Sequence, residues 1–152
     1  MARDRNEYRL AGLLMVYPML DNRTGSPTSS ADNPTTGTLS WSREANRFCW
    51  ECLQGAYALD DDQAALFSPA LADDLTGLPP SFMSVGALDL FLEEDVAFAL
   101  RLSKSGVPVE LHVYPGVHTC SINIRAVRPT SSNRTSPAPS PACAQTRARC
   151  SR

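Results

Sequence analysis

Residues 77–118 read GLPPSFMSVGALDLFLEEDVAFALRLSKSGVPVELHVYPGVH, and the periodicity inside this stretch decides the fold. Ser81–Gly86 (SFMSVG) is short and apolar, preceded by Pro79-Pro80 and ended by a glycine, which is the pattern of a buried strand. From Leu92 to Ser105 the apolar residues Leu92, Val96, Ala99 and Leu100 recur at helical spacing. Glu93, Glu94 and Asp95 crowd the first turn and Arg101 and Lys104 the last, so charge matches the helix dipole at both ends, and Gly106 is a natural stop. Val107, Val109, Leu111 and Val113 then alternate with Pro108, Glu110, His112 and Tyr114, a period of two that predicts a strand with one buried face. Strand, helix and strand in this order form a βαβ unit, whose crossover makes the two strands parallel neighbours.

In an open parallel sheet, ligands and chemistry gather beyond the carboxyl ends of the strands. Asp89 lies just past the first of these strands and His118 just past the second. A carboxylate and an imidazole thus reach the same rim, as an acid that orients a histidine base requires. Each has a plainer reading. Asp89 also suits a cap for the helix beginning near Leu92, and His118, after Pro115-Gly116, suits a surface loop. His112 shares a strand face with Glu110 and Tyr114 and is read as structural.

The runs GLPPSFMSVGALDLFLEED and VPVELHVYPGVH resemble the C-terminal part of α/β-hydrolase esterases of the hormone-sensitive-lipase type. Upstream, LLMVYPMLDNRT, WSREANRFCWECLQGAYAL and Ser68-Pro69-Ala70 fit the same family, so the resemblance runs from Met1 to about His118. It implies a partial α/β-hydrolase fold of class α/β, with three parallel strands and crossover helices. It also implies an Asp after the seventh family strand and a His after the eighth as members of a Ser-Asp-His triad, here Asp89 and His118. These hydrolases run serine, acid, histidine in chain order. The family usually shows Tyr-Pro-Gly, two residues, His, then Gly-Phe and an amphipathic helix. Here only Val117 separates Tyr114-Pro115-Gly116 from His118, and Thr119-Cys120 follows.

At 152 residues the chain suits one modest domain and is too short for a complete hydrolase of this kind. No apolar run approaches membrane-spanning length, and MARDRNEYRL lacks the apolar core of a signal peptide, so a cytoplasmic location is expected. Residues 1–110 hold all 16 acids against 8 bases, whereas residues 111–152 hold 6 bases and no acid. The two ends differ in kind.

Met1–Glu7 is helix-compatible, and Gly12–Tyr17 (GLLMVY) reads as a strand apolar on both faces, as one covered by helices on both sides should be. Asp21–Leu39 is a loop, containing an Asn22-Arg23-Thr24 sequon expected to be idle without a secretory route. Ser40 or Ser42 caps the next helix, with Ala45, Phe48, Cys49, Cys52 and Leu53 on one stripe until Gly55. By resemblance, Trp41, Phe48 and Trp50 could face an acyl chain; aromatics at this spacing are more often core. Cys49 and Cys52 have the spacing of half a zinc site or a redox pair, but no matching ligands follow, and two buried free thiols are expected instead. Ala58–Gly77, with Asp60-Asp61-Asp62 and Asp73-Asp74, reads as solvated turns and a short helix, and no metal or cofactor is expected.

From Ala126 to Arg152 the only aliphatic residue larger than alanine is Val127, so this tail cannot offset its chain entropy by burial. Residues 1–118 are therefore expected to form the hydrolase portion and 119–152 a Ser/Pro/Arg-rich, disordered tail, whose abrupt change of composition suggests a different reading frame. Its scattered arginines lack aromatics between them, so no nucleic-acid partner is expected.

Ester hydrolysis on this fold needs a serine on a Gly-x-Ser-x-Gly turn and an oxyanion loop, and neither motif occurs. Gly37-Thr38-Leu39-Ser40 has the wrong spacing, and Ser84 lies inside a strand where its side chain should be packed. The expected partners are therefore a small acyl-ester substrate, met only after complementation by a serine-bearing N-terminal half, or a second chain paired through an exposed sheet edge. An inactive remnant or interaction protein using that edge is the alternative function.

Overall fold

The computed structural model describes residues 2–5, 8–26, 33–56, 58 and 60–120. The expected tail falls, beyond Cys120, outside them. A short helix α1 (Ala2–Arg5) precedes strand β1 (Leu13–Val16). Helices α2 (Arg43–Gln54) and α3 (Asp61–Phe67) and a 3₁₀ turn (Pro69–Leu71) lead to β2 (Ser81–Gly86), α4 (Leu92–Lys104) and β3 (Val109–Tyr114). The strands form one sheet in the order β1-β2-β3, and both pairings are parallel. The βαβ unit legible in residues 77–118 is thus present, with the three strands and the crossover helix that the resemblance implies.

Parallel register puts paired residues on one face. Leu13, Ser81 and Val109 align, as do Met15, Met83 and Leu111, and this face packs on α4. Met83 and Leu102 are fully buried in a core with Leu20, Leu75, Phe98, Ala99 and Val107. Truncating either to alanine would cost about 2–5 kcal/mol in lost transfer energy and cavity. A second cluster, Val85, Leu90 and Phe91 with Tyr17, Met19 and Trp41 against it, lies under the carboxyl ends of the strands.

The opposite face differs from expectation. Leu14, Phe82 and Glu110 align there, followed by Val16, Ser84 and His112. Leu14 is 74% exposed, Val16 41% and Tyr114 47%. No helix lies over this face among the described residues, so the apolar alternation of β1 is only half used. Ser84 is half-buried rather than packed inside. His112 sits between Phe82 and Tyr114, at ring-centroid separations of 5.2 and 6.1 Å, and 2.6 Å from Glu110.

Two helices turn different stripes inward from those the apolar residues suggest. In α2 the buried residues are Asn46 and Trp50, one turn apart, while Phe48 and Leu53 are 64% and 62% exposed. Asn46 explains the rotation: its amide donates to the Thr24 carbonyl oxygen (2.8 Å) and its Oδ1 accepts from the Trp41 indole (3.1 Å), so a polar residue ties the helix to the loop. Ser42 caps α2 by accepting from the Ala45 amide, and Gly55 ends it at φ 57°, both as expected. Cys49 is half-buried and Cys52 exposed, a correction to two buried thiols. In α4 the inward stripe is Asp95, Phe98, Ala99 and Leu102, with Glu94 beside it, and Leu100 is 58% exposed. Two of the three acids of the first turn are therefore inside.

Candidate active site

The rim beyond the strand ends is assembled from the turns that follow β2 and β3. After β2 the chain turns through Ala87-Leu88 to Asp89, whose side chain is 1% exposed. After β3 it turns through Pro115-Gly116 to His118. Gly86 sets the distance between these turns. A Cβ there would stand 2.1 Å from the Val117 carbonyl oxygen, and its absence lets that oxygen accept from the Leu88 amide at 2.9 Å. The loop bearing the histidine is thereby fastened to the loop bearing the aspartate.

Asp89 Oδ1 accepts two hydrogen bonds, from the Phe91 amide (3.1 Å) and the Thr119 hydroxyl (2.6 Å). The first closes a turn ahead of α4, whose N-cap is Phe91 without a side-chain cap bond, so Asp89 does not take the capping role that the sequence offered as a rival. The second is a residue that sequence reasoning did not single out. In the resembled pattern two residues separate the glycine from the histidine, so the histidine would fall three places after Gly116, at position 119. Thr119 occupies that position, is buried, and gives Asp89 a donor. The signal for it was the shortened Gly-to-His spacing.

Asp89 Oδ2 is buried without a hydrogen-bond partner. Burial raises the Asp89 carboxyl above its ordinary value, opposed by the bonds from Thr119 and Phe91 and by the charge of nearby His118. His118 is half-buried, and its Nδ1 lies 2.8 Å from the Thr119 carbonyl oxygen. A carbonyl can only accept, so Nδ1 carries the hydrogen and the Nε2 lone pair is left for a proton. The same oxygen accepts from the Ser40 hydroxyl at 2.8 Å, and Ser40 holds a positive φ of 66°. The structure thus brings Asp89 and His118 to one rim without a hydrogen bond between them, Thr119 standing between.

Two more carboxyls reinforce the acidic side. Glu94 Oε1 accepts from the amides of Leu20 (2.7 Å) and Asp21 (3.3 Å), anchoring the segment after β1. Burial pushes the Glu94 carboxyl up to about 7 despite these bonds. Asp95 has no exposed surface and no partner for either oxygen. Burial, and then the charges of Glu94 and Asp89, push it up to about 9. Among the described residues no group of His, Cys, Asp and Glu is arranged to hold a metal ion. Of the aromatics considered for an acyl chain, Trp41 lies near the rim against Phe91 (6.4 Å), Trp50 is buried edge-on against Phe67 (5.0 Å), and Phe48 faces solvent. No helix among the described residues is long and apolar enough to cross a membrane.

Comparison with known proteins bears on this arrangement. A family model described as the alpha/beta hydrolase fold matches residues 1–122. An ethyl acetate hydrolase from Pseudomonas putida is 32% identical over 104 residues, which cover 68% of this chain and 31% of that protein. Among solved structures, a bacterial heroin esterase is 33% identical with a TM-score of 0.71, covering 82% of this chain and 40% of its own. A hormone-sensitive lipase from a metagenome library is 27% identical with a TM-score of 0.63, covering 75% and 37%. The chain therefore spans about a third of the length of the relatives it matches. Matched over most of its length by sequence model and by fold, the chain belongs to the alpha/beta hydrolase fold family, in its hormone-sensitive-lipase-like branch.

Proposed function

We propose that this chain supplies the acid and the base of a serine carboxylic ester hydrolase, Asp89 orienting the imidazole and His118 acting as general base, with the serine and the oxyanion donors coming from a segment outside these 152 residues. The observation that carries the reading is the buried Asp89 Oδ2, left without a partner beside a half-buried His118 whose charge acts on it. A carboxylate oxygen buried in this way is costly unless a donor reaches it. The Nδ1–H of His118, which in the structure donates to the Thr119 carbonyl oxygen, is such a donor once the ring turns to Asp89.

In the reaction, His118 Nε2 takes the proton of a serine hydroxyl as that oxygen attacks the ester carbonyl carbon. The imidazolium then returns the proton to the departing alkoxide, leaving an acyl-enzyme that water hydrolyses through the same base. Asp89 remains a carboxylate and holds the ring in place. Small acyl esters are the proposed substrate class, in keeping with the ethyl acetate hydrolase and the esterases that the chain resembles.

The test is complementation: the chain is mixed with a serine-bearing N-terminal portion of an esterase of this family, and hydrolysis of a chromogenic acetate ester is followed. Hydrolysis abolished by His118→Ala is expected. Hydrolysis indifferent to His118, or none from a mixture that forms a complex, overturns the assignment.

A further inference from the structure

Three parts of the rim meet at the Thr119 carbonyl oxygen. It accepts the His118 Nδ1–H and the Ser40 hydroxyl, each at 2.8 Å, one for each of its two lone pairs. The hydroxyl of the same threonine donates to Asp89 Oδ1 at 2.6 Å. The other oxygen of that carboxyl, Oδ2, is buried with no donor among the described residues. The imidazole N–H therefore has two acceptors within the rim, and it occupies the one that already has a second donor.

Ser40 reaches this oxygen from a strained backbone. The Trp41 amide closes on the Leu39 carbonyl oxygen at 2.8 Å, a three-residue turn with Ser40 at its centre and φ 66°. Such a turn is rare for a residue that carries a Cβ, and it persists only where its surroundings hold it. Here they do. Trp41 packs on Phe91 (6.4 Å) and donates to Asn46 (3.1 Å), Ser42 caps α2, and the Gly37 amide donates to the Leu88 carbonyl oxygen (3.3 Å), one residue before Asp89. This support delivers a hydroxyl 79 residues away in sequence to the carbonyl that holds the base.

Without the Ser40 hydroxyl, a His118 ring that turned to Asp89 would leave the Thr119 oxygen with no donor, and a part-buried carbonyl so stranded is costly. With that hydroxyl in place, the same turn strands nothing and gives Asp89 Oδ2 the donor it lacks. We propose that Ser40 is a positioning residue for the base, holding the Thr119 carbonyl oxygen so that the His118 Nδ1–H is released to Asp89 Oδ2. This deepens the reading of His118 as general base and rests on it.

Ser40→Gly tests it, because glycine takes the same φ without strain and removes only the side chain. The ring is then the sole donor to Thr119 and stays there. In the complemented mixture kcat is expected to fall about tenfold at unchanged KM, since the base is displaced and ester binding is not touched. Ser40→Asn, which tolerates positive φ and carries an N–H donor, is expected to restore most of the loss. Imidazole ¹H–¹⁵N spectra of the full chain alone are expected to show His118 exchanging between two Nδ1–H environments, reduced to one in Ser40→Gly. A Ser40→Gly complex with wild-type kcat, or His118 ring signals unaltered by that substitution, would overturn the proposal while leaving His118 as the base. Hydrolysis indifferent to His118→Ala would overturn the base reading and this inference with it.

Discussion

Asp95 predicts that this chain becomes less stable as pH rises through neutrality. It opens α4's inward stripe in the first turn of the helix, with no exposed surface and no hydrogen-bond partner among the described residues. Its carboxyl moves from 3.8 to about 9. With the folded value raised, the folded chain holds the proton more tightly than the unfolded chain. The stability this gives is complete below the unfolded value near 3.8 and is lost as pH climbs towards 9. Each pH unit in that window corresponds to about 1.4 kcal/mol for one group. Between about pH 5 and pH 8 Asp95 alone then removes roughly 4 kcal/mol, a large part of the ~5–15 kcal/mol that holds a typical domain. Glu94, raised from 4.5 to about 7, steepens the lower half of the same window. Asp95→Asn has the shape of the protonated acid and cannot ionise. It should leave stability near pH 5 within about 1 kcal/mol and raise it near pH 8 by about 2–4 kcal/mol. Urea unfolding followed by the fluorescence of Trp41 and Trp50, at one fixed protein concentration, measures both. A wild-type chain as stable at pH 8 as at pH 5, or an Asp95→Asn chain no more stable than wild type at pH 8, would refute the reasoning.

Two further outcomes follow from contacts of the rim and its base. Gly86→Ala drives a Cβ to 2.1 Å from the Val117 carbonyl oxygen, so the His118 loop must shift and the bond to the Leu88 amide is lost. A loss of about 3 kcal/mol or more is expected in the same urea titration, together with faster amide exchange at Leu88. Ser68 is fully buried, accepting from the Asn22 amide and donating to the Leu20 carbonyl oxygen, both at 3.0 Å. Ser68→Ala strands both groups and should cost about 1–3 kcal/mol, read as a lowered midpoint at unchanged slope.

The βαβ unit was legible because hydrophobic periodicity changes sharply at Gly86 and again at Gly106, and because charge marks both ends of α4. The rim was legible because strand ends and the resemblance agreed on Asp89 and His118. What sequence alone did not convey is side-chain rotation. Of the apolar stripe read from Leu92, Val96, Ala99 and Leu100, Ala99 is buried and Leu100 faces outward, because α4 turns Phe98 and Leu102 to the sheet and carries Asp95 in with them. A carboxylate in the first turn of a helix is nearly always solvated, so no rule of charge placement separates Glu93 from Glu94 and Asp95. Phe48 was misplaced for a similar reason, since Asn46 rather than an apolar residue fixes how α2 sits. Thr119 was passed over because a hydroxyl carries no motif of its own and only the shortened Gly-to-His spacing pointed to its position.

The hydroxyl on Asp89 separates two demands that a triad normally joins. A buried carboxylate needs some donor, and in a working triad the imidazole meets that need while also serving the reaction. Here the Thr119 hydroxyl and the Phe91 amide meet it at Oδ1 instead. Exchange of His118 should therefore weaken chemistry in a complemented enzyme while leaving the fold's own resistance to unfolding nearly unchanged. Cellular quality control, which samples the unfolded population and not turnover, would not distinguish a competent copy of this rim from a silent one.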